Sequence, residues 1–278
     1  MKRAVSWLLS LCLPLCLFAG CQGEPPLPSS ADIKVMSWNI LNPTWGGGPV
    51  EFRRDAFVEI VCEQMPDVLG LQEASKRWHE VFDQLPASYE AVNATTDGGK
   101  EAMTTLFYNT DTLTLISNGI EDLDSGSDIR IVSWAILEAN GTTARFLVTN
   151  THPDAREATC IPHTEQHLKL VNALQKEHDL PLLCVGDFNA VEDSTAYRLH
   201  INDGFTDCKY ADGVEVLQDV DSYLMGDYGG HVTRGKGSRD HVFFKGAVTP
   251  LTFTTLTDDG VKTVSDHLPV VATVQIGE

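Results

Sequence analysis

The chain is short of positive charge: 20 lysines and arginines stand against 39 aspartates and glutamates, a formal net charge of −19. That balance argues against a protein that grips nucleic acid with a broad basic surface, because backbone binding rests on clustered Lys and Arg. It does not exclude chemistry on a phosphate at a metal site, where a bound cation dominates the local field. Internal repeats and long low-complexity tracts are also missing, so neither a solenoid nor a disordered array is indicated. The seven cysteines are scattered and lack the paired spacing of a metal cluster. Beyond residue 20, no apolar run approaches the ~18 residues that a membrane-crossing helix needs.

What is present begins with a leader. Lys2 and Arg3 precede an apolar run over residues 5–18, interrupted by Ser6, Ser10 and Pro14 and too short to span a bilayer comfortably. Leu17-Phe18-Ala19-Gly20-Cys21 resembles a bacterial lipobox, in which the cysteine is cleaved and lipidated. The chain therefore divides into a lipoprotein signal peptide (1–20), a lipidated Cys21 with a Pro/Ser-rich tether (21–31), and one domain (32–278). An exported, membrane-anchored protein facing the periplasm or the cell surface is expected, touching the membrane through its N-terminal lipid only. Loss of Lys2 and Arg3 leaves 18 cations against 39 acids, or −21. Among the remaining cysteines, Cys62 and Cys184 read as buried small hydrophobes, and Cys160 and Cys208 as the loop pair able to form a disulfide.

Hydrophobic periodicity places strands at 33–40, 67–71, 102–108, 112–116, 129–138, 144–150, 180–185, 241–244, 248–256 and 268–276. Helices are expected at 52–65, with Phe52, Ala56, Phe57, Ile60 and Val61 on one face, and at 75–85, 164–177 and 194–199. Mixed sheets with helices outside them are the natural arrangement for this order.

Several of these strands end in groups that can hold a cation or a phosphate, and ligand chemistry gathers at strand ends in α/β folds. An apolar strand runs into Gly186-Asp187-Phe188-Asn189. Asp187 and Asn189 are two apart, so an extended backbone projects both to one side, as an anionic base or ligand with a neutral orienting group. A plain Asx turn explains the same residues. Glu73 offers a hard carboxylate oxygen of the kind Mg²⁺ prefers, and Asn39 a carbonyl oxygen to the same cation. Thr151-His152 delivers an imidazole, Ser265-Asp266-His267 a carboxylate beside an imidazole, and Asp240 a carboxylate that could orient a histidine. Taken singly, a helix-leading acid, a turn asparagine, solvated histidines and a strand-edge acid account for them equally. His163 and His167 have the i, i+4 spacing of zinc ligands but lack the following Glu, and read as a solvated helix face. Arg130 and Arg156 are placed to reach a substrate anion, and the irregular segment 226–237 reads as a rim loop that either selects substrate or merely connects.

In order along the chain, Ser37-Trp38-Asn39, Leu71-Gln72-Glu73, Thr151-His152, Gly186-Asp187-Phe188-Asn189, Arg239-Asp240-His241-Val242-Phe243 and Ser265-Asp266-His267-Leu268-Pro269-Val270 resemble the motif set of the endonuclease/exonuclease/phosphatase superfamily. The likeness is to its deoxyribonuclease-, sphingomyelinase- and inositol-phosphatase-like members and covers residues 33–275. It implies an α/β (α+β) four-layer sandwich of two packed mixed β-sheets flanked by helices, with the site at one end. It further implies Asn39 and Glu73 as ligands of Mg²⁺ (or Mn²⁺), with Asp266 near the ion, and Asp187 as the group that positions or deprotonates the attacking water. Asn189 would orient Asp187, Asp240 and His267 would face the scissile phosphate, and His152 would be supported by Glu101. The expected function is an exported phosphoesterase acting on small phosphoesters or lipid head groups. An extracytoplasmic nuclease is the alternative within the class, and a non-catalytic binding lipoprotein on the same fold the alternative outside it.

Overall fold

Alternation in the first strand, β1 (Ala31–Asn39), sends Ile33 and Val35 to one face and Met36 and Trp38 to the other, and all four are buried. A strand buried on both faces must lie inside a layered structure. The computed structural model describes residues 26–92, 103–123, 130–224 and 237–277; the leader, Cys21, Glu101 and nearly all of the 226–237 loop fall outside them.

After β1 come α1 (Arg54–Gln64), β2 (Val68–Gln72), α2 (Lys76–Phe82), β3 (Tyr89–Ala91) and β4 (Thr104–Asn109). The middle holds β5 (Leu113–Leu123), β6 (Arg130–Ala139), β7 (Arg145–Thr151), α3 (Glu157–His178), β8 (Leu182–Asp187) and α4 (Thr195–Asn202). The remainder is β9 (Thr206–Asp207), β10 (Glu215–Gln218), β11 (Asp240–Lys245), β12 (Val248–Thr255), α5 (Asp259–Val264) and β13 (Val270–Ile276). One sheet has the order β10-β12-β13-β1-β2-β4-β3 and the other β5-β6-β7-β8-β11-β9. Both are mixed: β1 with β2 and β7 with β8 are parallel, while β1 with β13 and β8 with β11 are antiparallel.

Three apolar layers define the sandwich. Val35, Val68, Leu106, Val148, Val185 and Val242 meet between the sheets. Phe57, Trp78 and Val261, from α1, α2 and α5, cover the outside of the first sheet. Leu168, Val171 and Tyr197, from α3 and α4, cover the outside of the second. The expected two-sheet, helix-flanked fold is therefore what forms. At one end the sheets approach closely enough that a Cβ on Gly70 of β2 would fall 2.6 Å from Val185 Cγ2 of β8. There Asn150 ties the layers: its Nδ2 donates to Leu71 O at 3.0 Å and Thr105 O at 2.8 Å, and its Oδ1 accepts from Gln72 Nε2 at 2.8 Å.

Several local expectations are corrected. Phe52 lies in a short 3₁₀ turn before α1 and is 83% exposed, because the helix starts only at Arg54. Cys62 is exposed, one position off the buried stripe of Phe57, Ile60 and Val61. Helix α3 begins at Glu157 and runs through Pro162, whose missing N–H removes a single intrahelical bond. Its His163 and His167 face the core and are fully buried, not solvated. Cys160 and Cys208 are both free and buried, on opposite sides of the second sheet, Cys160 on the buried face of α3 and Cys208 in the core between the sheets.

Candidate active site

Strand register assembles the polar ends. Asn39 ends β1 beside Gln72 of the parallel β2, with Glu73 next in the chain. Asp240 opens β11 directly opposite Asp187, the last residue of β8. Thr151 of β7 pairs with Gly186, so His152 emerges beside Asp187. A side chain at Gly186 would collide with the Thr151 carbonyl oxygen, which is why a glycine precedes the aspartate. Glu73 (φ 57°) and Asn189 (φ 49°) both take the left-handed backbone region that non-glycine residues avoid. Such strain at a cluster of polar strand ends is the kind found at functional sites.

The centre is the Asp187 carboxylate, 1% exposed. Its Oδ1 accepts from Asn189 N at 2.9 Å and its Oδ2 from Asn39 Nδ2 at 3.0 Å. Two imidazoles flank the same Oδ2, His152 Nε2 at 3.4 Å and His267 Nε2 at 3.6 Å. Asn39 Nδ2 also donates to Glu73 Oε1 at 3.0 Å, and Asn42 N to Glu73 Oε2 at 2.6 Å. Behind His267, Nδ1 meets Asp240 Oδ2 at 2.8 Å, and Ser222 Oγ donates to that same oxygen at 2.7 Å. Ser265 Oγ donates to Asn39 O at 2.6 Å and accepts from His267 N at 3.1 Å, which ties the final loop to the end of β1.

The two imidazoles are held in different states. Burial lowers His152 to about 3, and Arg130 pushes the same way against Asp187. Arg130 Nη1 lies 3.0 Å from His152 Nδ1. A guanidinium can only donate, so Nδ1 accepts and the ring proton sits on Nε2, toward Asp187. Burial also acts to lower His267, but Asp240 and Asp187 outweigh it and raise the ring to about 10. A neutral donor and a cationic donor thus bracket one carboxylate, and environments that push like groups apart assign them different proton roles. Burial raises Glu73 above the ordinary carboxylate range, partly offset by the bonds from Asn42 and Asn39.

A cavity of about 400 Å³ opens on this centre, with Glu73, Asp187, Asp266, His152 and His267 on its wall. The donor set suits a hard divalent cation: carboxylate oxygens crowd the wall, and Asp240 Oδ1 is buried without a hydrogen-bond partner. Asp187, Asp240 and His267 place ligand atoms within 4.8 Å of one another. Both nitrogens of a protonated His267 face carboxylates, however, so it has no lone pair to give. Glu73, with Asp187 and Asp266 on the same wall, is the better cradle. Asn39 presents its nitrogen to the carboxylates, while its oxygen accepts from Leu41 N at 3.0 Å.

Asn39, Glu73, His152, Asp187, Asn189, Asp240, Asp266 and His267 are thus brought to one end of the sandwich. Arg130 lines the cavity while engaged with His152, and Arg156 lines it while clasping Asp154, Nη2 to Oδ2 at 2.6 Å. Ser222, Tyr223 and Asp154 belong to the site but carried no periodic or motif signal of their own, whereas Arg239 stood in the motif around Asp240 with no role assigned to it.

Known proteins share this fold. Among curated proteins none matches the sequence. An endonuclease/exonuclease/phosphatase family protein from Bacteroides thetaiotaomicron superposes with a TM-score of 0.75 at 21% identity, over 88% of this chain and 95% of that one. The mannosyl-6-phosphatase of the same species gives 0.74 at 20% identity, over 87% and 99%. The catalytic domain of human Nocturnin gives 0.67 at 19% identity, over 91% and 96%. At these identities the structures speak for the fold alone. The sequence profile of the Endonuclease/Exonuclease/phosphatase family matches residues 36–267, a span that starts in β1 and ends on His267. With every strand end of the cluster inside that span, the chain belongs to the endonuclease/exonuclease/phosphatase family.

Proposed function

We propose that the protein is a Mg²⁺- or Mn²⁺-dependent phosphoesterase that cleaves small phosphoesters by in-line attack of water. The observation that carries this reading is the buried Asp187 carboxylate flanked on one oxygen by two imidazoles, His152 Nε2 at 3.4 Å and His267 Nε2 at 3.6 Å. Phosphoester cleavage is largely charge neutralisation and alignment, so donors fixed around one point are what it requires. His267, held by Asp240, donates to a non-bridging oxygen, and His152 Nε2–H to another. Asp187, aligned by Asn189 and Asn39, takes the proton of the attacking water. A divalent cation at Glu73 and Asp266 would polarise the phosphoryl oxygen and offset its charge.

A cavity of about 400 Å³ in a chain of net charge −19 favours small substrates over nucleic acid. The mannosyl-6-phosphatase neighbour supports a small phosphomonoester. Export and lipid attachment at Cys21 complete the proposal, on the strength of the leader and lipobox.

The test is release of p-nitrophenol from p-nitrophenyl phosphate and from its bis ester, with Mg²⁺, Mn²⁺ or EDTA. Turnover should vanish in EDTA, and Asp187→Ala should lower it by roughly 10²-fold or more while the protein stays folded. A near-wild-type rate in that variant would remove Asp187 from the mechanism. Silence toward both esters with either metal would favour a binding protein.

A further inference from the structure

Beyond the groups around Asp187, the cavity wall holds a cation that, among the described residues, has no carboxylate bonded to it. Arg239 lies half-buried one residue before Asp240, its guanidinium carbon 4.3 Å over the Tyr223 ring. Nη1 donates to Asn189 Oδ1 at 3.1 Å, while Nε is buried and has no hydrogen-bond partner. Among the described residues no carboxylate forms an ion pair with it. The other two arginines on the wall differ: Arg156 clasps Asp154, and Arg130 is bonded to His152. A chain with 39 acids and 20 bases has ample means to pair a guanidinium. Leaving one partly desolvated and unpaired costs free energy that a bound anion would return.

Its position indicates which anion. Arg239 touches Asn189, whose backbone N–H donates to Asp187 Oδ1. It also touches Tyr223, whose ring centroid is 4.8 Å from that of His267. By either route one side chain stands between the guanidinium and the groups facing the scissile phosphate. It lines the same cavity, so the group to which a bound phosphate is attached would share that cavity with it. A guanidinium offers a planar fork of donors matched to a carboxylate or a phosphate, and stacking on Tyr223 fixes that plane before substrate arrives.

We propose that Arg239 is the specificity-determining residue of this site, and that it selects small phosphomonoesters whose leaving group carries a second anionic group. This rests on the phosphoesterase reading above. The test compares phosphate release within matched pairs: glycerol 3-phosphate with 3-phosphoglycerate, sorbitol 6-phosphate with 6-phosphogluconate, and fructose 6-phosphate with fructose 1,6-bisphosphate. The first two pairs add a carboxylate and the third a phosphate, so they also show which anion fits. The anionic member should have a kcat/KM higher by about tenfold or more in at least one pair, carried mainly by KM. Arg239→Gln should bring that ratio to within about twofold of unity, and Arg239→Lys, with charge but no fork, should fall between. Arg145→Gln, which removes an exposed cation paired with Glu138, should keep the full ratio. A wild type without preference in any pair, or an Arg239→Gln that keeps it, would overturn the assignment. No phosphate from any of the six compounds, by protein that does release p-nitrophenol, would overturn this assignment alone; silence toward p-nitrophenyl phosphate and its bis ester as well would overturn the phosphoesterase reading and this one with it.

Discussion

At the scale of single residues, His152 shows how a neighbour rather than a carboxylate can set a tautomer. Histidines at active sites are often oriented by an acid, but Arg130 occupies Nδ1 here, at 3.0 Å, and also donates to His152 O at 3.3 Å. A donor on Nδ1 forbids a proton there and, being cationic, resists protonation of the ring as a whole. Nitrogen NMR of the imidazole should therefore find His152 neutral with its proton on Nε2 from pH 5 to 8. In Arg130→Leu the ring should populate both tautomers, and turnover should fall by roughly tenfold, the scale of one lost orienting group. A proton on Nδ1 of the wild-type ring would end this account.

The elements of the second sheet carry a different histidine problem. His167 of α3 and His200 of α4 are fully buried, His167 Nε2 3.1 Å from Thr149 Oγ1 of β7 and His200 stacked on Phe243 of β11 with centroids 4.6 Å apart. Burial lowers them to about 3 and about 4. Both stay neutral in the fold while the unfolded chain protonates below about pH 6.5, so stability falls as pH drops from there toward 4. His241 is shifted up by Asp207 at 2.8 Å, enough to overcome its burial. Its contribution is present below pH 6.5 and fades only as pH rises, so it does not add to the acid slope. Glu73, held above its usual value, opposes that slope in its lower part. Urea midpoints should register a loss of roughly 1.5 kcal/mol per buried neutral histidine between pH 6.5 and 5, and His200→Phe should make the slope shallower by about one proton. An unchanged slope in His200→Phe would mean that this ring is protonated inside the fold.

These histidines also mark where the sequence is legible and where it is not. Strands such as β1 and β8 announce themselves because burial on both faces demands continuous apolar residues, and their polar ends stand out against that background. His163 and His167 mislead because polar side chains that find partners inside a core look, in sequence, like a solvated face. Strand β5 extends to Leu123, well past residue 116, because an edge strand with one wet face carries no apolar run to mark its end. Asp187, Glu73 and His267 are legible as motif residues and Arg239 as a neighbour within one, whereas Ser222 and Tyr223 join them only in the tertiary structure, Ser222 by its bond to Asp240 and Tyr223 by its bridge to His267.

For the whole molecule, the direction of β1 relates the proposed anchor to the site. The chain enters β1 at Ala31 and delivers Asn39 to the catalytic end, so the eight steps between them, at ~3.3 Å each, place the entry about 26 Å from the site. The entry is fixed at that far end: Pro28 O accepts from Thr143 N at 2.8 Å, in the turn between β6 and β7. Among the described residues no helix is long and apolar enough to cross a membrane. An anchor at Cys21 followed by a short tether would thus hold the domain by its blunt end and turn the cavity away from the bilayer. Geometry then disfavours lipid head groups of the anchoring membrane and favours soluble phosphoesters. Cys21→Ala should move the protein to the soluble fraction with its rate on p-nitrophenyl phosphate unchanged. The anchored wild type should show no advantage on a head-group phosphoester placed in its own bilayer. Retention of Cys21→Ala on membranes would remove the lipid from the picture, and a selective advantage of the anchored form on head groups would mean that the domain lies over instead of standing out.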